Sequence, residues 1–230
     1  MTSRHLVVPT FPSLTWRADL EPNALPPTPD LSPAKRRVLA ASLGQFAARG
    51  FVAATTRDIA ADLGMQAPSL YNHFASKEAI LEHLVLFGWQ YANSRLLTAL
   101  VNAGSAATGQ LEALVREHVL MSCAYPRLTQ VINTETAHVP PETMAVVRNY
   151  RQASRDMVME VLRRGQAEGA FDVVHLGTTM WALAAMGQTA AAQFPYLPDL
   201  QAVDVADESV VLALRLTGAH APSVPEPSPS

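Results

Sequence analysis

Hydroxyl, amide, imidazole and guanidinium side chains are concentrated between Thr55 and Lys77, in the stretch TTRDIAADLGMQAPSLYNHFASK. These groups donate or accept hydrogen bonds, and proteins use them to contact phosphates and base edges. Catalysis calls for other arrangements, such as a nucleophile elbow or a glycine-rich phosphate loop, and neither occurs in the chain. The elements that position these polar side chains therefore decide what they contact.

The spacing at the start of this stretch predicts a short helix. Thr55 and Asp58 have the spacing of a capping box, in which each residue satisfies a free N–H group of the other at a helix start. Ile59, Ala60 and Leu63 follow at the i, i+1, i+4 spacing of one buried helical face. We therefore expect a helix that begins at Thr55 and buries one side.

A second short helix is predicted after a glycine turn. Gly64 stands where a left-handed C-cap is least costly, and Pro68 fits the first turn of the next helix. Leu70 and Phe74 are four residues apart and are expected to point inward, and Ser76 can cap a third helix. Two short helices around a turn form a helix-turn-helix, whose shape fits the DNA major groove.

The residues TTRDIAADLG followed by PSLYNHFASKEAIL resemble the DNA-binding signature of TetR-family transcriptional regulators. The resemblance extends from about Ala34 to Leu84, and LYNHF-SKE is its specific core; the rest of the chain resembles the family in layout. It implies an all-α, nine-helix fold with a three-helix DNA-binding head and a helical ligand-binding domain. It also implies a homodimer that represses by binding a palindromic operator and is released by a small molecule.

The resemblance also implies a role for the polar positions of the head. Thr55 and Thr56 would contact phosphate, Arg57 would reach a guanine edge, and Gln66 would read adenine. The other implied DNA-contacting positions are Ala67 and Pro68 on a thymine methyl group, Ser69 at the groove-facing helix start, Tyr71, His73 and Lys77 on the DNA backbone, and Asn72 without a defined partner. An alternative for Tyr71 is that it completes the small helical core.

The distribution of charge along the chain favours DNA contact at one end. The formal net charge is −3, which by itself argues against a nucleic-acid-binding protein. Residues 31–90 hold six Lys/Arg and four Asp/Glu, a net +2, whereas residues 91–230 hold nine and thirteen, a net −4. No Lys or Arg lies between Gln66 and Phe74, so base reading would rest on Arg57, Gln66 and DNA shape.

Composition predicts packed helices in a reducing compartment. Hydrophobic residues make up 49% of the chain and aromatic residues 7%, and β-branched runs with period two are scarce. The single cysteine, Cys123, excludes an internal disulfide framework and suits the cytoplasm. The N-terminal residues lack the pattern of a signal peptide, and no uninterrupted apolar run reaches eighteen residues, so no membrane span is expected.

The distribution of prolines and helical patterns predicts four segments. Residues 1–30 contain six prolines and no helical period, which is typical of a disordered arm. We predict a DNA-binding domain over 31–77, a ligand-binding and dimerisation domain over 78–218, and a disordered tail over 219–230. Dimerisation is expected through helices near 174–194 and 203–217, packed as a four-helix bundle with their mates.

Large, soft side chains on several helices of the second domain suggest a ligand pocket. The candidate pocket residues are Met121, Tyr125, Glu135, Tyr150, Arg151, Met180 and Trp181. Such residues at helical spacing are more often ordinary core, and that alternative stays open. Arg148, Arg151 and Arg155 form a basic stripe that is either a solvated face or an anchor for an anionic amphiphile.

Residues 131–172 resemble the C-terminal domain of TetR-type regulators of fatty-acid and steroid catabolism, whose effectors are acyl-CoA thioesters. The resemblance ranks an acyl-CoA thioester first as effector. A neutral, hydrophobic, drug-like compound, as expected for a regulator of an efflux gene, ranks second. A different class of protein is also possible, namely a helical ligand-binding protein whose helix-turn-helix has lost operator binding.

One pair of residues has the spacing of a metal motif. Glu135 and His138 are three apart, as in the Glu-x-x-His motif of carboxylate-bridged di-metal bundles. That site needs two such motifs and two further glutamates, and the chain has no second copy. We therefore expect no metal, no cofactor and no enzymatic activity.

Overall fold

The computed structural model describes residues 15–27 and 31–219, and within these ranges the chain folds as nine α-helices without a strand. The helices are α1 Pro33–Ala53, α2 Thr56–Asp62, α3 Ala67–Leu70, α4 Lys77–Asn102, α5 Ala107–Ala124, α6 Pro126–Thr134, α7 Pro141–Ala167, α8 Leu176–Gln193 and α9 Ala202–Leu216. Two 3-10 turns, Thr136–His138 and Phe194–Tyr196, follow α6 and α8. The all-α, nine-helix prediction is confirmed.

Helices α1 to α3 and the first half of α4 form the head around a shared apolar core. Its completely buried side chains include Leu39, Leu43, Phe46, Ile59, Leu70, Leu81 and Leu84. Phe74 is partly buried against the same core, so both inward-pointing residues predicted for the second short helix lie where the spacing placed them. Burying one large apolar side chain contributes about 1.5–3 kcal/mol, so this core holds the short α2 and α3 in place.

Local sequence signals set the helix ends of the head. The predicted capping box is present, because Asp58 N–H donates to Thr55 Oγ1 at 3.1 Å and Thr55 N–H donates to Asp58 Oδ2 at 3.2 Å. Ser76 Oγ accepts a hydrogen bond from Ala79 N–H at 3.1 Å and caps α4. Gly64, with φ of 64°, makes the left-handed turn between α2 and α3, a conformation that glycine adopts without steric cost.

The remaining helices form the body around α5, which packs against α4, α7, α8 and α9. The buried side chains of this second core include Leu111, Leu114, Val161, Leu162, Leu183 and Val210. Helix α4 begins in the head and ends in the body, and α6 packs against α1, α4 and α8. The head and the body are therefore joined along α4 and where α6 meets α1.

Residues 15–27 differ from the predicted disordered arm: they form an extended strap that packs on the body and the head. Arg17 donates to Leu200 O at 2.7 Å and Leu197 O at 3.3 Å, in the connection between α8 and α9. At the other end, Leu25 is buried and its carbonyl accepts a hydrogen bond from Arg36 of α1 at 2.5 Å. We call residues 15–27 the N-terminal strap.

The strap is ordered because tertiary contacts outweigh its proline-rich composition. Asn23 Oδ1 accepts a hydrogen bond from Arg127 of α6 at 2.5 Å, and the Trp16 ring lies edge-on to Tyr196 at 5.8 Å. The rest of the predicted arm, and of the predicted tail beyond Ala219, lies outside the described residues. Across the described ranges, none of the helices combines the length and the apolarity that a membrane span requires.

Candidate nucleic-acid interface and ligand cavity

The outer side of α2 and α3 presents polar side chains to solvent. Arg57, Gln66 and Asn72 are exposed, and 53% of the Tyr71 surface is exposed. The exposure of Tyr71 excludes the alternative that it completes the head core. In the described part of the chain, the guanidinium of Arg57 has no hydrogen bond and no ion pair, whereas Arg49 is paired with Asp58 at 3.1 Å. Arg57 is thus free to donate to an external acceptor.

The remaining predicted contact positions are arranged around these exposed groups. Helix α3 is a single turn, with Gln66 as its N-cap and Pro68 in its first turn. Pro68 is exposed, and Thr56, Ala67, Ser69 and His73 are half-buried. A helix start of this kind directs free N–H groups and small side chains towards a partner, with little bulk in the way.

Two predicted phosphate-contacting residues are engaged within the head. The Thr55 hydroxyl donates to Asp58 Oδ2 at 2.7 Å, and this bond lowers the pKa of the Asp58 carboxyl. Lys77 Nζ donates to Phe51 O at 2.8 Å and to Ala54 O at 2.9 Å. Both residues therefore hold the ends of helices together, and Lys77 keeps one ammonium donor for a phosphate contact.

The body contains a partly open cavity of about 550 Å³ between α4, α5, α6, α7 and α8. Its apolar wall includes Trp89, Leu96, Leu111, Leu114, Met121, Val158, Met180 and Leu183. Its polar lining is His118, Asn133, Thr134, Arg151, Ser154, Arg155 and Gln188. A second cavity of about 50 Å³ shares Trp89, His118, Met121 and Asn133 with the first and adds Tyr125.

Two arginines of α7 line the larger cavity without a carboxylate partner. Neither Arg151 nor Arg155 forms an ion pair with a described residue. The Arg151 guanidinium lies 5.1 Å from the Trp89 ring centroid, and burial together with the charge of Arg155 lowers its pKa. Arg151 is half-buried and Arg155 is exposed, and neither is neutralised by a described carboxylate, so this side of the cavity suits an anionic group.

His118 provides a neutral polar group inside the cavity. Burial lowers the pKa of His118 to about 4, so the imidazole is uncharged at neutral pH. No hydrogen bond joins the ring to another described residue, and only its backbone carbonyl accepts one, from Ser122. Gly187 of α8 makes room for the ring, since a Cβ at that position would lie 2.5 Å from Nε2.

Comparison with known proteins relates both sites to one family. The family model for bacterial regulatory proteins of the tetR family matches residues 38–84, and the model for the tetracyclin repressor-like C-terminal domain matches residues 104–217. The HTH-type transcriptional repressor KstR2 of Mycolicibacterium smegmatis is 31% identical over 155 residues, which cover 64% of this chain and 72% of KstR2. The chain belongs to the TetR family. It is a DNA-binding transcriptional regulator.

Solved structures show the same fold. A tetR-family regulatory protein from Rhodococcus RHA1 is 27% identical with a TM-score of 0.75, covering 83% of this chain and 100% of its own. KstR2 of Mycobacterium tuberculosis is 22% identical with a TM-score of 0.73 over 84% and 97% of the two chains. AibR, solved in complex with isovaleryl coenzyme A and operator DNA, is 20% identical with a TM-score of 0.69 over 81% and 99%.

The cavity of this TetR-family regulator brings together part of the predicted pocket. Met121, Arg151, Met180 and Trp181 line the larger cavity, and Tyr125 lines the smaller one together with Met121. Two predicted pocket residues, Glu135 and Tyr150, line neither cavity. Of the basic stripe, Arg151 and Arg155 line the cavity and Arg148 does not.

Several lining residues were not predicted from the sequence. Trp89, His118 and Asn133 line both cavities, and Gln188 lines the larger one. The available signal was polar residues on otherwise apolar helical faces: His118 follows Leu114 and precedes Met121 at helical spacing. Cys123, one turn further on, is buried, and burial raises the pKa of its thiol to about 12, so the thiol stays protonated.

Proposed function

We propose that this regulator is a homodimeric repressor that binds a palindromic operator through Arg57, Gln66 and Tyr71 and is released by an amphipathic anion. The observation that carries the proposal is an apolar cavity lined by two unneutralised arginines in the same chain as an outward-facing helix-turn-helix. The matched relatives are named as transcriptional repressors, and we propose the same non-enzymatic role, in the cytoplasm, for this chain.

The proposed operator contacts follow from the exposed donors of the head. Arg57 would donate both arms of its guanidinium to a guanine edge, a pairing worth about 1–3 kcal/mol of discrimination against other bases. Gln66 would pair with adenine, while Tyr71 and His73 would donate to phosphates. Thr56 and the free N–H groups at the start of α2 would bind a further phosphate. Ala67, Pro68 and Ser69 would allow the backbone to approach the bases closely, beside Asn72.

The proposed dimer interface is the outer side of α8 and α9. Helix α9 exposes large apolar side chains on this side, including 54% of Leu212, 50% of Val203 and 45% of Val211. An exposed apolar face of this kind is typical of a surface that another chain covers. A second copy of the chain would form a four-helix bundle here and place two heads on one face, as a palindrome requires.

The proposed effector is an acyl-CoA thioester. Its acyl chain would occupy the apolar wall formed by residues such as Leu111 and Met180, and its phosphates would lie near Arg151 and Arg155. AibR, of the same fold, was solved with isovaleryl coenzyme A, which supports this class of ligand. Release would be a population shift, in which the ligand favours a head separation that no longer matches two major grooves.

A neutral hydrophobic compound is the second candidate effector. The contact between Arg151 and the Trp89 ring favours it, since the ring partly compensates the guanidinium without any anion. Thermal-shift measurements with acyl-CoA thioesters, the matching free fatty acids and neutral hydrophobic compounds distinguish the candidates. The proposal expects the melting temperature to rise with a thioester and to rise less with the acid. No shift with any thioester would remove this effector class.

A gel-shift titration tests operator binding against the alternative of a ligand-binding protein without DNA affinity. The DNA is the region upstream of the gene, and a shuffled sequence of the same length is the control. We expect tight binding to the upstream region that weakens steeply with salt, because each phosphate contact releases counterions. Equal, weak binding to both DNAs would support the alternative.

A further inference from the structure

Phe51 of the head is held by two residues of the body. Its N–H donates to Glu135 Oε2 at 3.1 Å, and its ring stacks on His138, with ring centroids 5.2 Å apart and planes at 26°. Glu135 and His138, the pair with metal-motif spacing, lie directly after α6 and approach each other to 3.9 Å. We call Phe51, Glu135 and His138 the Phe51 clamp.

The same residue is held from the other side by α4. Lys77, the first residue of α4, donates from Nζ to Phe51 O at 2.8 Å, and Nζ lies 4.3 Å from the ring centroid. The two backbone polar groups of Phe51 thus bind two different elements, the end of α6 and the start of α4. Phe51 itself is buried and packs edge-on against Phe46 in the head core, so its position fixes that of α1.

The clamp is one residue away from the cavity wall. Asn133 and Thr134 line the cavity, and the single proton of the Thr134 hydroxyl is shared between Gln130 O at 3.1 Å and Glu135 Oε1 at 3.2 Å. One Glu135 oxygen therefore bonds a cavity-lining side chain, and the other bonds the head. Any ligand that shifts the end of α6 moves both oxygens together.

The backbone next to Phe51 departs from helical geometry at Gly50. Gly50 has φ of 75° and ψ of 160° and interrupts the regular helix, a conformation that L-residues with side chains rarely adopt. Glu135 Oε1 lies 3.8 Å from the position where a Cβ would stand at Gly50. The Glu135 carboxylate thus lies next to Gly50, which separates the regular part of α1 from Phe51.

We propose that Glu135 is a positioning residue that couples occupancy of the cavity to the position of the head. A ligand against Asn133 and Thr134 draws the Glu135 carboxylate away from Phe51 N–H, and the freed segment rotates at Gly50 while Lys77 keeps it attached to α4. The inference rests on the proposed function, since it needs an effector and an operator. It also gives the Glu135–His138 pair a role other than metal binding.

The test compares Glu135→Ala and Glu135→Gln with a matched control, Gln130→Ala, in the full-length dimer. Gln130 also joins α6 to α1, through a hydrogen bond from Nε2 to Ala47 O at 3.1 Å, but it does not line the cavity. Two quantities are measured for each protein. One is the affinity for octanoyl-CoA and isovaleryl-CoA without DNA, and the other is operator affinity by fluorescence anisotropy with and without each thioester.

We expect the wild type and Gln130→Ala to lose operator affinity by about 5- to 150-fold when thioester is added, the usual range of allosteric coupling. In Glu135→Ala that loss should shrink to about twofold while thioester affinity in the absence of DNA is kept or rises, because the cavity is intact and the ligand no longer has to break the Glu135–Phe51 hydrogen bond. Glu135→Gln should keep part of the coupling, since an amide oxygen still accepts the Phe51 N–H. A merely structural role of Glu135 would not separate these two affinities.

Full coupling in Glu135→Ala, or an equal loss in Gln130→Ala, would overturn the inference and leave the proposed function standing. If neither thioester weakens operator binding by the wild type, that result counts against the proposed effector class. Operator affinity in the absence of thioester would then test the Phe51 clamp. Glu135→Ala should bind the operator several-fold more weakly than Gln130→Ala, because a freed head must be ordered on binding, and equal affinities would overturn the clamp.

Discussion

At the scale of single residues, the proposed operator reading rests on few side chains. Arg57 is exposed and unpaired among the described residues, and no Lys or Arg lies between Gln66 and Phe74. Lys77, which the family resemblance places on the DNA backbone, also donates to Phe51 O and Ala54 O. We therefore propose that specificity depends on Arg57 and Gln66 more than on the recognition helix as a whole.

Arg57→Ala should weaken operator binding by about 10-fold or more and relax base preference at one position, because it removes a bidentate contact worth about 1–3 kcal/mol. Tyr71→Phe should weaken binding about 3- to 10-fold on all sequences, since it removes one hydroxyl near phosphate. Anisotropy titrations on the operator and on single-base variants measure both effects. Arg163→Ala, which changes an exposed arginine on α7, is the control. Operator affinity equal to that of the wild type in both head variants would contradict the contact assignment.

His118 makes stability depend on pH in a defined window. Its pKa is lowered to about 4 by burial, below the ordinary value of 6.5. The unfolded chain therefore binds a proton that the folded chain does not, and stability contributed by the neutral imidazole is present above pH 6.5 and lost as the pH falls towards 4. The loss between pH 7.5 and pH 5 amounts to about 2 kcal/mol.

His118→Asn should remove most of this pH dependence, because asparagine does not titrate. Denaturant unfolding at pH 7.5 and pH 5 measures it, and His175→Asn serves as the control, since His175 is exposed. The wild type and His175→Asn should lose stability on acidification by about 2 kcal/mol more than His118→Asn. The same loss in all three proteins would show that His118 is not held neutral.

At the scale of elements, the N-terminal strap links the segment between α8 and α9 to the head. The side chain of Arg17 is 4% exposed, binds two carbonyls of that connection and lies over the Phe194 ring at 4.5 Å. Its partner Asp19 is largely exposed. The strap therefore gains its order from Arg17 and Leu25 rather than from a local helical or strand pattern.

Arg17→Ala should lower the melting temperature by about 5 °C, because it removes two hydrogen bonds from a buried guanidinium to main-chain carbonyls, and each charged hydrogen bond contributes about 1.5–3 kcal/mol. Glu21→Ala should leave the melting temperature nearly unchanged, since Glu21 is an exposed strap residue that forms no ion pair with a described residue. Differential scanning calorimetry measures both variants, and hydrogen exchange over residues 15–27 follows the strap directly. A strap that exchanges as fast in the wild type as in Arg17→Ala would show that Arg17 does not order it.

Which elements could be predicted from the sequence depends on whether the signal is local. The Thr55–Asp58 capping box and the left-handed Gly64 are determined by neighbouring residues, so the helix-turn-helix was predicted residue by residue. The strap was not, because its order comes from contacts with residues far along the chain such as Leu200. The cavity was predicted only in part, since helical periodicity identifies a buried face but not whether that face meets another side chain or a void.

At the scale of the whole molecule, we propose that the exposed apolar side of α8 and α9 is covered by a second copy of the chain. Leu212→Glu should convert the dimer to a monomer in analytical ultracentrifugation, because it buries a charge at the proposed interface. Operator affinity should then fall by about 100-fold, since the second head no longer binds as part of the same particle. Leu97→Glu is the matched control, because Leu97 on α4 is equally exposed, at 54%, but lies away from α8 and α9. A dimeric Leu212→Glu would place the interface elsewhere.

The account requires the head and the cavity to act on each other within one dimer. The direct measurement is fluorescence anisotropy of a labelled upstream operator bound by the full-length protein, over a salt series and with added octanoyl-CoA. We predict two chains per operator, an affinity that falls steeply with salt, and a further loss of about 5-fold or more when the thioester is added. Binding that does not distinguish the operator from a shuffled sequence, or that is unchanged by every thioester and neutral hydrophobic compound, would contradict a ligand-responsive regulator.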